Sequence, residues 1–177
     1  MALRIFIICL LFISAVSVLI PVDNTINELE KKDLALVTFN NSTMYTLDDV
    51  QVNRIVESKQ AIRYKTRDEM YNGQFYIRAK NSTSGIADII SADFIQKTGA
   101  NLKFVDNVEY SRDNFMNLKT NVMHYNLDTK IAYNRHPFVG TYYNDTLVGT
   151  DLYLDTTKTY FKSKKSRFEI NLDNKEK

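Results

Sequence analysis

"TLVGTDLYLD", Thr146–Asp155, alternates like a β-strand and then breaks its own rule. Leu147 and Gly149 lie two apart, as do Leu152 and Leu154, but the step between the pairs is three. Successive side chains of a strand point to opposite faces, so an odd step sends the second pair to the wrong side. A β-bulge absorbs the extra residue and restores the inward face, and a small residue fits where the strand bends. Gly149 stands at that point.

The step recurs. Ile90-x-Ala92-x-x-Ile95 and Leu118-x-Thr120-x-x-Met123-x-Tyr125 repeat it, and the three copies begin 28 and 29 residues apart. A weaker copy, Val56-x-Ser58-x-x-Ala61, begins 34 residues before the first of them. The residue before each break is small: Ser58, Ala92, Thr120 and Gly149. After a short turn, each of the last three copies is followed by another strand-like segment, led by Leu102, Ile131 and Tyr160.

The surrounding chain agrees. The runs "FYIRA", "IADIISADFI", "NLKFVDNVEY", "NLKTNVMHY", "KIAYN", "LVGTDLYL" and "TYFKS" read as strands, separated by turn-like "KTGAN", "NLDT" and "LDTT". From Leu34 onward no stretch offers an amphipathic helix of ordinary length. The pattern predicts an all-β fold of repeated antiparallel hairpins, strongly twisted around an apolar interior, with Ala92, Thr120 and Gly149 at its bulges.

Composition sets the outer bounds. The 177 residues suit one domain with a sizeable core, and 23 basic against 21 acidic residues give little support to a nucleic-acid partner. The single cysteine, Cys9, excludes a disulfide within the chain and a cysteine metal cluster. Eleven Tyr and ten Phe, with two Pro and five Gly, favour strands over loops.

The first segment is different. From Ile5 to Ile20 no residue is charged, and those sixteen residues would span about 24 Å as a helix. With Pro21 and Val22 the span approaches the ~30 Å hydrocarbon thickness. Residues 1–22 are therefore expected to form an uncleaved transmembrane anchor in preference to a cleaved signal peptide. Arg4 places the N-terminus on the cytoplasmic side. Residues 23–33 read as a polar joint, 34–172 as the β-domain outside the membrane, and 173–177 as a tail.

Chemistry for catalysis is scarce. His124 and His136 are the only histidines, and neither has metal-ligand spacing to a second ligand. No phosphate loop or nucleophile elbow occurs. Asp88 with Asp93, or Asp48 with Asp49, are conceivable acid pairs, but carboxylates in edge or turn positions are normally solvated. The expectation is no enzyme, no cofactor and no metal.

The region "NVEYSRDNFMNLKTNVMHYNLDTKIAYNRHPFVGTYYNDTLVGTDLYLD", Asn107–Asp155, resembles the LptA/LptC/OstA-like family of lipopolysaccharide-export proteins. The likeness lies in an apolar-x-Thr strand ending in Tyr-Asn (Leu118, Thr120, Met123, Tyr125, Asn126), a Pro137-Phe138 corner, and an apolar-x-Gly stretch leading to a last strand (Leu147, Gly149, Leu152, Leu154, Asp155). The anchor and the total length fit the family's membrane-anchored members. The resemblance implies a β-jellyroll or "boat", open along one side, that holds the acyl chains of lipopolysaccharide. It also implies docking on the inner-membrane ABC exporter (LptB with LptF and LptG) and edge pairing of the last strands with the bridge protein LptA. It implies no catalysis. The residues expected to line the groove are Ile90, Ile95, Leu102, Phe104, Leu118, Met123, Tyr125, Ile131, Tyr133, Leu147, Leu152 and Leu154. Tyr160, Phe161, Phe168 and Ile170 would form the partner edge, with Lys162, Lys164, Lys165 and Arg167 discouraging self-pairing. Ordinary core packing is the bland alternative for each groove residue. Two other readings remain: a membrane-anchored β-domain that binds protein and no lipid, and a secreted β-jellyroll enzyme acting on glycans.

Overall fold

The computed structural model describes residues 6–7, 33–47, 49, 51–78, 86–113, 116–158 and 160–170. The expected anchor (apart from Phe6 and Ile7), nearly all of the joint, and the tail lie outside the described residues. Among the described residues no helix is long and apolar enough to cross a membrane.

The strands all fall within the unit Ala35–Lys177. They are β1 (Val37–Leu47), β2 (Val52–Arg63), β3 (Asp68–Arg78), β4 (Ile86–Thr98), β5 (Asn101–Arg112), β6 (Met116–Asn126), β7 (Ile131–Tyr133), β8 (Phe138–Tyr142), β9 (Asp145–Asp155) and β10 (Tyr160–Glu169). They form one antiparallel sheet in chain order, from β1 at one edge to β10 at the other. β7 and β8 lie end to end as one interrupted strand, each pairing with β6 on one side and β9 on the other. β1 and β8 are absent from the expected strands. β1 (VTFNNSTMYTL) carries too few apolar residues to show alternation, and β8 is only five residues long.

All four odd steps keep their apolar residues on one face. Val56, Ser58 and Ala61 are buried, as are Ile90, Ala92 and Ile95, then Leu118, Thr120, Met123 and Tyr125, then Leu147, Leu152 and Leu154. In the opening stretch the extra residue is absorbed at Asp151, which adopts a φ of 54°. Gly149 is small for a spatial reason. A Cβ there would lie 3.0 Å from the Phe138 ring and 3.3 Å from the carbonyl oxygen of Lys164.

The irregularities line up across the sheet. The ladders skip Asn41 and Lys59 between β1 and β2, Lys59 and Asn72 between β2 and β3, and Asn72 and Asp93 between β3 and β4. The line continues through Asp106 and Asn107 on β5, Asn121 on β6, the gap between β7 and β8, Asp151 on β9 and Lys165 on β10. Asn41, Asn72, Asp106, Asn107, Asp151 and Lys165 have φ between 46° and 60°. Asn and Asp tolerate that left-handed region better than other non-glycine residues. The row is a crease that folds the sheet onto itself. One leaf holds 42–47, 52–58, 73–78, 86–92, 108–112, 116–120 and 138–149; the other holds 37–40, 60–63, 68–71, 94–98, 101–105, 122–126, 131–133 and 152–155. Phe75 and Phe104 come from strands that are not neighbours and from opposite leaves, yet their rings meet edge-on at 5.6 Å.

The turns at one end are fixed by side-chain carboxamides and carboxylates. Asn126 Oδ1 accepts from the amides of Asp128 and Thr129, and Asp155 Oδ1 accepts from those of Thr157 and Lys158. At the β7–β8 gap Asn134 replaces the missing ladder. Its backbone N–H donates to the Leu152 carbonyl at 3.0 Å, its Oδ1 accepts from the Leu152 amide at 3.0 Å, and its Nδ2 donates to Thr120 Oγ1 at 3.0 Å. Thr120 Oγ1 in turn donates to the Pro137 carbonyl. Asn134 is 3% exposed, so Asn134→Ala leaves the Leu152 amide buried without a partner. The substitution should cost about 2–3 kcal/mol, read as a lowered urea midpoint with an unchanged slope.

Candidate functional site: the inner face and its open ends

The inner face is one continuous apolar surface running from Val56 on β2 to Leu154 on β9. Of the expected groove residues, Ile90, Ile95, Leu102, Phe104, Leu118, Met123, Tyr125, Leu147, Leu152 and Leu154 lie on it. Ile131 and Tyr133 do not. On β7 the inward residue is Ala132, which pairs with Tyr125 and Leu154, whereas Tyr133 pairs with His124 and Tyr153 on the outer face. The short strand puts its small residue inward, beneath the large side chains of its neighbours.

Midway along the sheet the two leaves close on each other, and Ile90, Ile95, Phe104 and Met123 are fully enclosed. Toward the β1 edge the covering stops. Phe39 pairs with buried Ala61 and so faces inward, yet it is 51% exposed. Beside it opens a cavity of about 480 Å³ lined by Phe39, Met44, Ala61 and Met70 among others, with Arg63 and Asp68 at its rim. Arg63 and Asp68 form a two-point ion pair, Nε to Oδ1 at 2.7 Å and Nη2 to Oδ2 at 3.1 Å. Toward the β10 edge Phe161 packs against the core and on Phe138 at 6.1 Å. Phe168, paired with inward Leu147, is 47% exposed. Tyr160 and Ile170 are exposed as well.

The side opposite the crease, where the strand ends of the two leaves meet, is polar. Asp88 and Arg112 are paired across β4 and β5 and both are buried, with Arg112 Nε 3.6 Å from Asp88 Oδ1. Tyr110 donates its hydroxyl to the same oxygen at 2.7 Å. Tyr125 reaches this group from the other leaf and lies 3.5 Å from Thr156 Oγ1. Burial pushes the Tyr125 phenol up to about 12. Burial also raises the Asp88 carboxyl above its usual value, against the opposing pull of Tyr110 and Arg112. Desolvation lowers the Arg54 guanidinium, with Tyr125 and Asp128 opposing. A ring of fixed polar groups thus seals the long side of the interior. Asp88 and Asp93 are no acid pair. Asp93 lies on the outer crease and accepts from Asn107 Nδ2 at 2.6 Å.

Sequence reasoning missed Phe39, Met44 and Met70 at the cavity, because β1 has no legible alternation and Met70 precedes an odd step whose other member, Gly73, has no side chain. It missed Arg112 because a strand-end arginine reads as solvated unless its cross-strand partner is known.

No known family model matches the sequence, and no curated protein matches it. Among solved structures the chain is similar to LptH of Pseudomonas aeruginosa, described as the LptA-homologous periplasmic component of the conserved lipopolysaccharide transport device. The identity is 12%, the TM-score 0.40, and the match covers 76% of this chain and 94% of that one.

The polar seal gives a pH prediction. Folded Asp88 holds its proton more tightly than the unfolded chain does, so its contribution to stability is full below its ordinary value of 3.8 and declines as pH rises through the raised folded value. Asp88→Asn keeps an acceptor for Tyr110 and removes that titration. Urea midpoints measured from pH 3 to neutrality should fall less steeply in the variant; parallel curves would show that Asp88 does not titrate across this range.

Proposed function

We propose that this chain is a component of a lipopolysaccharide transport bridge, of the membrane-anchored LptC type, and that its inner face receives acyl chains. It takes lipid from the inner-membrane ABC exporter (LptB, LptF and LptG) and passes it to the periplasmic bridge protein LptA. The observation that carries this reading is the uncovered apolar inner face at the β1 edge, where Phe39 and Met44 border a cavity of about 480 Å³ continuous with the core. The motif likeness over Asn107–Asp155 supplies the lipid's identity. The chain acts without catalysis, through burial alone, with the N-terminal segment anchored in the inner membrane.

Energetics favour a conduit over a store. Burying a methylene is worth about 0.8 kcal/mol relative to water, so a fourteen-carbon chain would gain about 11 kcal/mol from solution. A lipid arriving from a membrane is already dry, and its transfer into an apolar face is close to neutral. Direction must then come from the exporter.

The closed middle of the interior favours one competing reading, a membrane-anchored interaction module whose core is simply full. Site-specific photo-crosslinking separates the two. A photo-reactive residue at Phe39 or Met44 should trap lipopolysaccharide, whereas one at Thr38 or Thr43, on the opposite face of β1, should not. Equal labelling of both faces would sink the lipid reading. For the other edge, deleting residues 160–177 should abolish capture of LptA while leaving association with the exporter intact.

A further inference from the structure

The outer face of the second leaf carries a row of residues with no role in the core. Cross-strand pairing places Lys103, His124, Tyr133, Tyr153 and Lys162 side by side on β5, β6, β7, β9 and β10. Tyr160, one pairing further along, meets Tyr153 at 6.4 Å between ring centroids. Tyr133 stacks on His124 at 4.9 Å, with the rings 11° from parallel. Even so, Tyr133, Tyr153 and Tyr160 are 43%, 38% and 52% exposed. Three tyrosines on neighbouring positions of a solvent face are a contiguous half-apolar patch, and such patches mark contact sites.

The charge around the row is mainly positive. Desolvation lowers the His124 imidazole, and Lys103, His136 and Arg135 push it in the same direction; of these, Lys103 and Arg135 bring fixed positive charge to one end of the strip. Lys162 stands at the other end. Among the described residues, Lys103, Arg135 and Lys162 have no carboxylate within salt-bridge distance. Neighbouring lysines elsewhere do: Lys119 binds Glu109 and Lys97 approaches Asp68. Asp155, opposite Tyr160 on this face, is engaged by the Thr157 and Lys158 amides and by Lys158 Nζ, so it neutralises none of Lys103, Arg135 and Lys162.

We propose that this strip binds an acidic polysaccharide. A pyranose ring presents an apolar C–H face to an aromatic surface while its hydroxyls hydrogen-bond at the rim. Tyr133, Tyr153 and Tyr160 offer both the ring and a phenolic hydroxyl, and Lys103, Arg135 and Lys162 match carboxylate or sulfate groups spaced along a chain. A single-stranded nucleic acid also stacks on aromatic rings over a basic surface. It fits less well, because the near-balanced charge of the chain, 23 basic against 21 acidic residues, gives little support to a nucleic-acid partner. The strip lies on the face opposite the lipid-contact surface, so this inference stands whether or not the inner face carries lipid.

Binding of the full chain to fluorescent heparin and polygalacturonate tests the idea, with neutral dextran, single-stranded DNA and phosphatidylglycerol vesicles as rivals. Both acidic glycans should bind and weaken with added salt, and dextran should not bind. The double variant Tyr133→Ala/Tyr153→Ala should lose at least about tenfold in affinity. Lys103→Gln/Lys162→Gln, two exposed positions that leave the core untouched, should lose a similar factor. In the unaltered chain, bound polygalacturonate should protect Lys103 and Lys162 from acetylation, read by mass spectrometry, and leave Lys119 reactive. The proposal falls if the tyrosine variant, folded by circular dichroism, binds as well as wild type, since simple ion exchange would then suffice. It falls equally if neither lysine is protected, or if DNA or vesicles bind more tightly than either glycan.

Discussion

A single sheet with one apolar face and no helix layer among its described elements has only itself to cover that face. Everything else in the fold follows from this. A strand that ran straight through the crease would keep strict alternation and throw its second half outward. For β9 that would expose Leu152 and Leu154, each now about 1% exposed, at about 1.5–3 kcal/mol apiece. The bulge that prevents this costs one ladder pairing, about 0.5–1.5 kcal/mol, and places Asp151 in the left-handed region at about 1–2 kcal/mol. The balance favours the bulge on each strand, and it favours aligning the bulges, because a misaligned one would break pairing with both neighbours.

That logic is why so much of the fold was legible. Counting residues between apolar positions locates a bulge directly, so β2, β4, β6 and β9 announced theirs in the spacing alone. On β3 the inner face at the odd step is Gly73, which carries no hydrophobic mark, and on β5 the step from Phe104 to Val108 is four residues across Asp106 and Asn107, so alternation looks unbroken. The polar partners of the crease were unreadable for a different reason. Asn134 bridges Thr120 and Leu152, and Arg112 pairs with Asp88, through contacts between residues distant in sequence. The misplaced pair, Ile131 and Tyr133, shows the limit of equating apolar with inward. Three residues are too few for alternation to decide, and Ala132 wins because the space between Tyr125 and Leu154 admits a small side chain.

The two edges of the sheet are unequal. β1 carries Val37, Phe39, Tyr45 and Leu47 exposed with no lysine among its eleven residues, whereas β10 carries Lys162, Lys164, Lys165 and Arg167 beside Tyr160 and Phe168. Charge on an edge strand restrains indiscriminate pairing, and its absence leaves β1 open to any complementary surface. β1 thus joins an uncharged edge to the open cavity beside it, and β10 a charged edge to the covered end of the core.

The crease also keeps the outer surface in phase. Tyr153 is exposed because Leu152 and Leu154 point inward, and the same count places Tyr133 and Lys162 beside it. Removing Asp151 would cut the step from Gly149 to Leu152 to two, so a straight strand could keep Leu152 and Leu154 inward and Tyr153 outward. It would do so only by losing the crease on β9, and it would shift the strand by one residue against β7 and β10. An apolar interior and an aromatic, cationic exterior on the same strand are therefore not two separate adaptations. Across the crease, both are held in place by the one extra residue between Gly149 and Leu152.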